Sequence, residues 1–194
     1  MINFDEIPMW LYPTAAGVVI FALLLYVLVR MFLRSRTRRH NEQRIESIAY
    51  EVLRNILIAN GNGGQIHLNY LLLTERGLMV VDLFDVPGSV FAGDQMQQWT
   101  SIGRNRRYQF SNPQALLYDR MAAVKVLAGT VPVEGCLIFT TRSEFPKGKP
   151  KYVARIDELG NYFPIVDRSR GYVAGAFNDV WRNVKANAQP NIPV

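Results

Sequence analysis

The chain carries no charged residue from Met9 to Val29, and Ala15 to Val29 (AAGVVIFALLLYVLV) holds nothing more polar than Gly17 and Tyr26. Twenty-one residues in a helix rise roughly 32 Å, which matches a hydrocarbon thickness of about 30 Å. The expectation is one membrane-spanning helix over 9–33, with Trp10 and Tyr12 at the level of an interfacial aromatic belt. A core helix of a soluble domain is rarely apolar on every face for so long. A cleaved signal peptide needs basic residues first and a small-residue cleavage site afterwards, and the order here is the reverse. Asp5 and Glu6 precede the run, and Arg30, Arg34, Arg36, Arg38, Arg39 and Arg44 follow it. The basic flank puts the short N-terminus (1–8) outside and the rest inside, at the inner face of a plasma or inner membrane.

This reading absorbs most of the chain's charge. The total is +6, from 22 Lys and Arg against 16 Asp and Glu. Residues 30–44 hold six Arg against Glu42, a net +5, and residues 45–194 hold sixteen basic against thirteen acidic side chains, a net +3. The collar over 34–44 suits anionic lipid headgroups, at roughly 1 kcal/mol per basic residue. One cysteine and two histidines exclude an internal disulfide and a Cys/His zinc site. The 49% apolar content excludes global disorder.

Beyond the collar the spacing of Ile45, Ile48, Ala49, Val52, Leu53, Ile56 and Leu57 predicts an amphipathic helix, closed by Asn60-Gly61-Asn62-Gly63-Gly64. Strands are expected at Gln65 to Leu73 and Leu78 to Phe84, joined by the turn Thr74-Glu75-Arg76-Gly77 as a hairpin. A short strand at Ser89 to Phe91 precedes a second hairpin, Gln98 to Ile102 with Arg106 to Phe110, around Gly103-Arg104-Asn105. Asn112-Pro113 opens a helix through Ala128. Val131 to Thr141 reads as a strand with Cys136 buried in it, Val153 to Ile156 as a last strand, and Ala174 to Ala188 as a terminal helix. The order predicts an α/β domain with a mixed central sheet flanked by helices.

Four blocks together resemble the NERD (nuclease-related) domain, a branch of the PD-(D/E)xK restriction-endonuclease-like fold. They are ESIAYEVL with Glu51, HLNYLLLTERGLMVVDLF, GSVFAGDQMQQW, and SNPQALLYDRMAAVKVLAG followed by VPVEGCLIFT. The resemblance covers about residues 45–160 and leaves 161–194 as a C-terminal helix and tail. It implies metal-assisted phosphodiester cleavage, with carboxylates holding Mg²⁺ or Mn²⁺ and a lysine serving the attacking water. Glu51 and Asp82 match the ligand positions. Asn69 stands where the first strand should supply Asp, and Phe84 where an acidic-x-Lys triplet should supply Lys. A Gln of the family pattern is off-register, with Leu116 in its place and Gln114 two residues early.

Asn keeps a carbonyl but removes a negative charge, and Phe supplies no amine. No lysine precedes Lys125, and Lys125 itself reads as an ordinary helix position. Arg76 lies too far along the turn to replace the amine. His67 reads as a structural histidine, and Asp85 as a turn residue before Pro87. The expected function is a membrane-anchored, catalytically degenerate NERD protein that binds nucleic acid or a protein partner without cleaving, and that needs no cofactor. Arg104, Arg106 and Arg107, with Lys147, Lys149 and Lys151, are the candidates for phosphate contact. The alternatives are a divalent-metal nuclease using Glu51 and Asp82, and a membrane scaffold without nucleic acid.

Overall fold

A computed structural model describes residues 11–61, 63–104, 106–167, 175 and 177–191, with side chains from Ile20 onward. The chain divides into two compact units, 1–42 and 43–194. The first helix, α1, runs Leu11–Glu46, and its last four residues belong to the second unit. Among the described residues no helix is long and apolar enough to cross a membrane. The span expected over 9–33 begins before the described residues: residues 9 and 10, like the expected external segment 1–8, lie outside them. From Ile20 the apolar side chains run only to Val29 before Arg30 and Arg34 interrupt them. Those side chains, from Phe21 to Leu33, are exposed on all sides of the helix in the first unit.

The second unit is mixed α/β with two mixed sheets, where the sequence predicts one. The strands are β1 (Glu51–Ala59), β2 (Gln65–Thr74), β3 (Gly77–Phe84), β4 (Gly88–Phe91), β5 (Gln98–Ile102) and β6 (Arg107–Ser111). After α2 (Gln114–Ala128) come β7 (Val133–Phe139), β8 (Ser143–Glu144) and β9 (Val153–Arg155). A single 3-10 turn (Ile156–Glu158) leads into α3 (Leu159–Tyr162), and α4 (Asn178–Asn187) ends at β10 (Gln189–Pro190). The larger sheet has the order β10-β1-β2-β3-β7-β9, and the smaller β6-β5-β4-β8. In the larger sheet β10 to β3 pair antiparallel, and β7 and β9 add in parallel. That parallel step requires a crossover, which β4 to β6 and α2 supply. The expected start of the last helix at Ala174 lies outside the described residues.

The helix expected from Ile45 through Leu57 is a correction. Only Ile45 and Glu46 are helical in that stretch; the chain turns at Ser47 to Tyr50 and becomes β1. The physical reason is a phase change inside a strand. Asn55 has φ 50°, and across it the positions packed against the α2 side of the sheet shift from Leu53 to Ile56 and Ile58. One left-handed residue therefore converts a period of two into a spacing of three, which imitates a helix.

Each face of the larger sheet buries its own cluster. On one side Leu71, Leu73, Leu78, Val80, Leu137 and Phe139 pack with Leu117 and Val124 of α2 and with Trp181 and Val184 of α4. On the other Leu72, Met79, Val81, Cys136 and Ile138 pack with Ile45, Ile48, Ile156 and Leu159. Cys136 is 2% exposed, as expected of a structural thiol, and burial pushes its pKa up to about 12. The β2–β3 hairpin turns on Gly77, whose φ is 124° and whose added Cβ would lie 2.5 Å from the Pro132 carbonyl oxygen. That oxygen also accepts the Leu78 N–H at 3.0 Å. Gly77→Ala is expected to cost about 1–3 kcal/mol from backbone strain alone. Urea unfolding of the variant measures it, and an unchanged midpoint would contradict this account of the turn.

Candidate functional site

The register of β2 on β3 pairs Tyr70 with Val81, so Asn69 and Asp82 stand side by side one step further on. Both lie toward the α2 face. Asn69 Nδ2 donates to Asp82 Oδ1 at 2.8 Å. The other carboxylate oxygen, Oδ2, accepts from Arg120 Nη1, a contact that is also an ion pair. Asp82 is 1% exposed and Arg120 8%. A second bond from the same guanidinium, Nε to the His67 carbonyl oxygen at 2.7 Å, fixes its orientation across β2. Two charges removed from water this far persist only as a pair with further hydrogen bonds, and this pair has both.

Arg120 is the residue that sequence reasoning missed. It takes the cation's place beside Asp82, but it comes from the helix and not from the strand. A signal existed: Leu117, Arg120 and Val124 fall at three and four along α2 and are all buried, so a charge sits on the apolar stripe. Lys125 does not reach the site, because its Nζ donates to the Val131 carbonyl oxygen at 2.8 Å beyond the helix end.

Phe84, on the same face two residues past Asp82, stacks on Phe139 with ring centroids 5.2 Å apart. Phe139 in turn touches Trp99 and Phe145, and Trp99 meets Phe110 edge-on. The position of the expected lysine is thus part of the aromatic contact between the two sheets.

The structure does not bring Glu51 to Asp82. Glu51 is not helical; it opens β1 opposite Leu73, four residues or about 13 Å along the strand from the level of Asn69. Its carboxylate pairs with Lys185 of α4 at 2.5 Å. The Lys185 bond, and next the indole N–H of Trp181, hold the Glu51 carboxyl below its usual range. Trp181 Nε1 is buried with no partner at hydrogen-bonding geometry, so its pull on Glu51 is that of a nearby dipole and not a formed bond. Glu51 ties α4 to the start of β1.

A divalent ion does not fit these donors. Both Asp82 oxygens are taken, Asn69 brings no charge, and among the described residues no three His, Cys, Asp or Glu side chains converge. His67 Nε2 lies 2.7 Å from Asn55 Oδ1, and Asn55 Nδ2 donates to the Asn191 carbonyl oxygen, so His67 belongs to the β1–β2–C-terminal contact. Asp85 accepts from Thr140 and pairs with Arg142, both at 2.8 Å.

Gln114, early in the expected register, is 3% exposed, whereas Leu116 is 46% exposed. Gln114 Nε2 donates to Asp94 Oδ1 at 2.7 Å and to the Lys151 carbonyl oxygen at 2.8 Å. It joins the start of α2 to the loops before β5 and β9. The loop lysines are engaged: Lys149 with Glu158 and the Tyr162 ring, Lys151 over Tyr152, and Lys147 over Phe91. Arg104, Arg106 and Arg107 are exposed around the β5–β6 turn. An open cavity of about 620 Å³ flanks the first half of β7, lined among others by Glu134, Lys149, Tyr152 and Tyr162; of the expected site residues Lys149 lines it, and Glu51, Asn69, Asp82 and Phe84 do not.

A family model described as NERD, nuclease-related domain, matches residues 31–140, more than half of the 194-residue chain. No curated protein and no solved structure matches the chain.

Removing one end of the buried pair strands the other. Arg120→Ala is expected to lower stability by about 3–5 kcal/mol, and Asp82→Leu with Arg120→Met to cost less than Arg120→Ala alone. Denaturant midpoints of the two variants check this. At Glu51 the folded-state pKa is depressed from 4.5. Its contribution is therefore present above about pH 4.5 and fades as pH falls through the lower folded value. Glu51→Gln should flatten the acid side of the melting-temperature profile and leave its alkaline side alone.

Proposed function

The chain belongs to the nuclease-related domain family, and on that premise we propose that it is a single-pass, membrane-anchored member that binds nucleic acid at the inner face of the membrane without cleaving it. The observation that carries the reading is the state of Asp82. In a working metal site that carboxylate must offer its oxygens to a cation and to water; here Arg120 and Asn69 occupy them, and Phe84 supplies no amine to the attacking water. Arg120 neutralises the charge that would attract a metal. Glu51, the other remnant, is committed to Lys185. The loss concerns two positions of a motif and a third residue, Arg120, whose buried charge makes the first two losses mutually consistent.

The anchor rests on the apolar run to Val29 and the arginines that follow it, whose order favours an external N-terminus and an internal domain. A single helix and an arginine collar hold the domain against anionic lipid, where a nucleic acid or a protein partner meets it. Residues 45–160 form the nuclease-related module in this reading, and 161–194 brace it through α4.

Membranes carrying the full chain should retain it through an alkaline carbonate wash, and a tag placed at the N-terminus should be reached only from outside. The purified full chain, incubated with DNA and with RNA in Mg²⁺ or Mn²⁺, is expected to leave both intact. Cleavage that disappears in Asp82→Ala would sink the non-catalytic reading in favour of a divalent-metal nuclease. Asn69→Asp with Phe84→Lys is expected to gain little Mn²⁺ affinity by calorimetry while Arg120 remains, and to gain it once Arg120→Ala is added. Failure to bind any nucleic acid would favour a membrane scaffold.

A further inference from the structure

In the smaller sheet β6 is the outer strand, paired only with β5 among the described residues. The register sets Tyr108 opposite Ser101 and Phe110 opposite Trp99, so the two aromatic side chains of β6 share a face. Trp99 is fully buried and meets Phe110 edge-on at 6.1 Å. Tyr108 stacks on Phe110 with centroids 5.8 Å apart and planes 16° from parallel, yet it remains 60% exposed. The result is a ring braced by a second ring that itself packs on the core, with most of its own surface in water.

Arg104, Arg106 and Arg107 surround the turn that leads into this strand, and all three are exposed. Among the described residues none of them makes an ion pair or a side-chain hydrogen bond. By contrast Arg54, Arg120, Arg142, Arg155 and Arg182 each face a carboxylate. The sequence contains no acidic residue between Asp94 and Asp119, so nothing on the hairpin offsets its three positive charges. Among the other described arginines of this unit charge is mostly cancelled locally, with Arg76 an exception; on the hairpin three arginines lie together with no carboxylate beside them.

We propose that the β5–β6 hairpin docks single-stranded nucleic acid, with a base stacked on Tyr108 and the flanking phosphates held by Arg104, Arg106 and Arg107. The proposal rests on the nucleic-acid reading above and adds the form of the polymer and the place it binds. Stacking decides for a single strand, since a duplex offers no free base face to a tyrosine ring. The layout decides against lipid. The tip is arginine-rich with Ile102 as its exposed apolar side chain, and the rings are set back along the strand, so the hairpin presents no apolar wedge to a bilayer. The hairpin belongs to a different sheet from Asp82, so docking is independent of the remnant metal motif.

Full-length protein in mild detergent, titrated by fluorescence anisotropy with a labelled oligothymidylate of roughly 20 nucleotides and with a duplex of equal length, tests this. The single strand is expected to bind more tightly. Tyr108→Ala should weaken it about tenfold, Tyr108→Leu similarly, and Tyr108→Phe little, because only a flat ring stacks. Arg106→Ala with Arg107→Ala should reduce the slope of log affinity against log salt by about 1.4. Single-strand binding that none of these variants changes would overturn the hairpin while leaving the nucleic-acid reading standing. Absence of binding to either polymer would overturn both. Preference for the duplex, or variants that affect only binding to anionic vesicles, would overturn the single-strand assignment.

Discussion

The ion pair between Asp82 and Arg120 is the constraint around which the larger sheet and α2 are arranged. A carboxylate 1% exposed beside the junction of antiparallel and parallel strands is tolerable only with a countercharge, and the countercharge comes from a helix that arrives after three strands of the second sheet. The guanidinium reaches Asp82 on β3 and the His67 carbonyl on β2 at once, so it fixes how α2 lies across both strands. Leu117 and Met121 then settle over Gly135 of β7, where an added Cβ would meet the Met121 sulfur at 2.5 Å. The buried carboxylate acts as a strut between the sheet and α2.

Much of the fold was legible because it rests on local rules. The β2–β3 hairpin follows from the turn residues around Gly77, the β5–β6 hairpin from its short polar turn, and α2 from Asn112, whose Oδ1 accepts the Gln114 N–H at 2.9 Å. The buried run LMVVDLF behaves as an inner strand should. The failure at β1 has a local cause in Asn55, since a single left-handed residue breaks the alternation on which strand reading relies. The second sheet was less legible for a different reason. Its strands are two to five residues long, and the β4–β8 pairing joins residues more than fifty positions apart, which no short-range pattern encodes.

The candidate site shows the same division. Asn69, Asp82 and Phe84 could be placed beside one another from the strand pairing alone. What surrounds them could not. Arg120 reaches the pair from 38 residues away, and Glu51, expected in a helix, instead opens β1 opposite Leu73, away from Asn69. Gln114 shows how register in a motif can mislead: two residues early by count, it is nonetheless the side chain that turns inward and binds Asp94.

Cys136 lies between these layers, the only thiol in the chain. Its neighbours on either side in the sheet are Val81 of β3, directly opposite, and β9, which joins one residue further on at Leu137. With a pKa of about 12 it is almost entirely protonated near neutral pH, and although it borders the open cavity beside β7 only 2% of its surface is exposed. Its reaction is therefore slow until the central strands separate. The rate at which a thiol reagent modifies this chain is a clock for the opening of its core, built into the native sequence without any added probe.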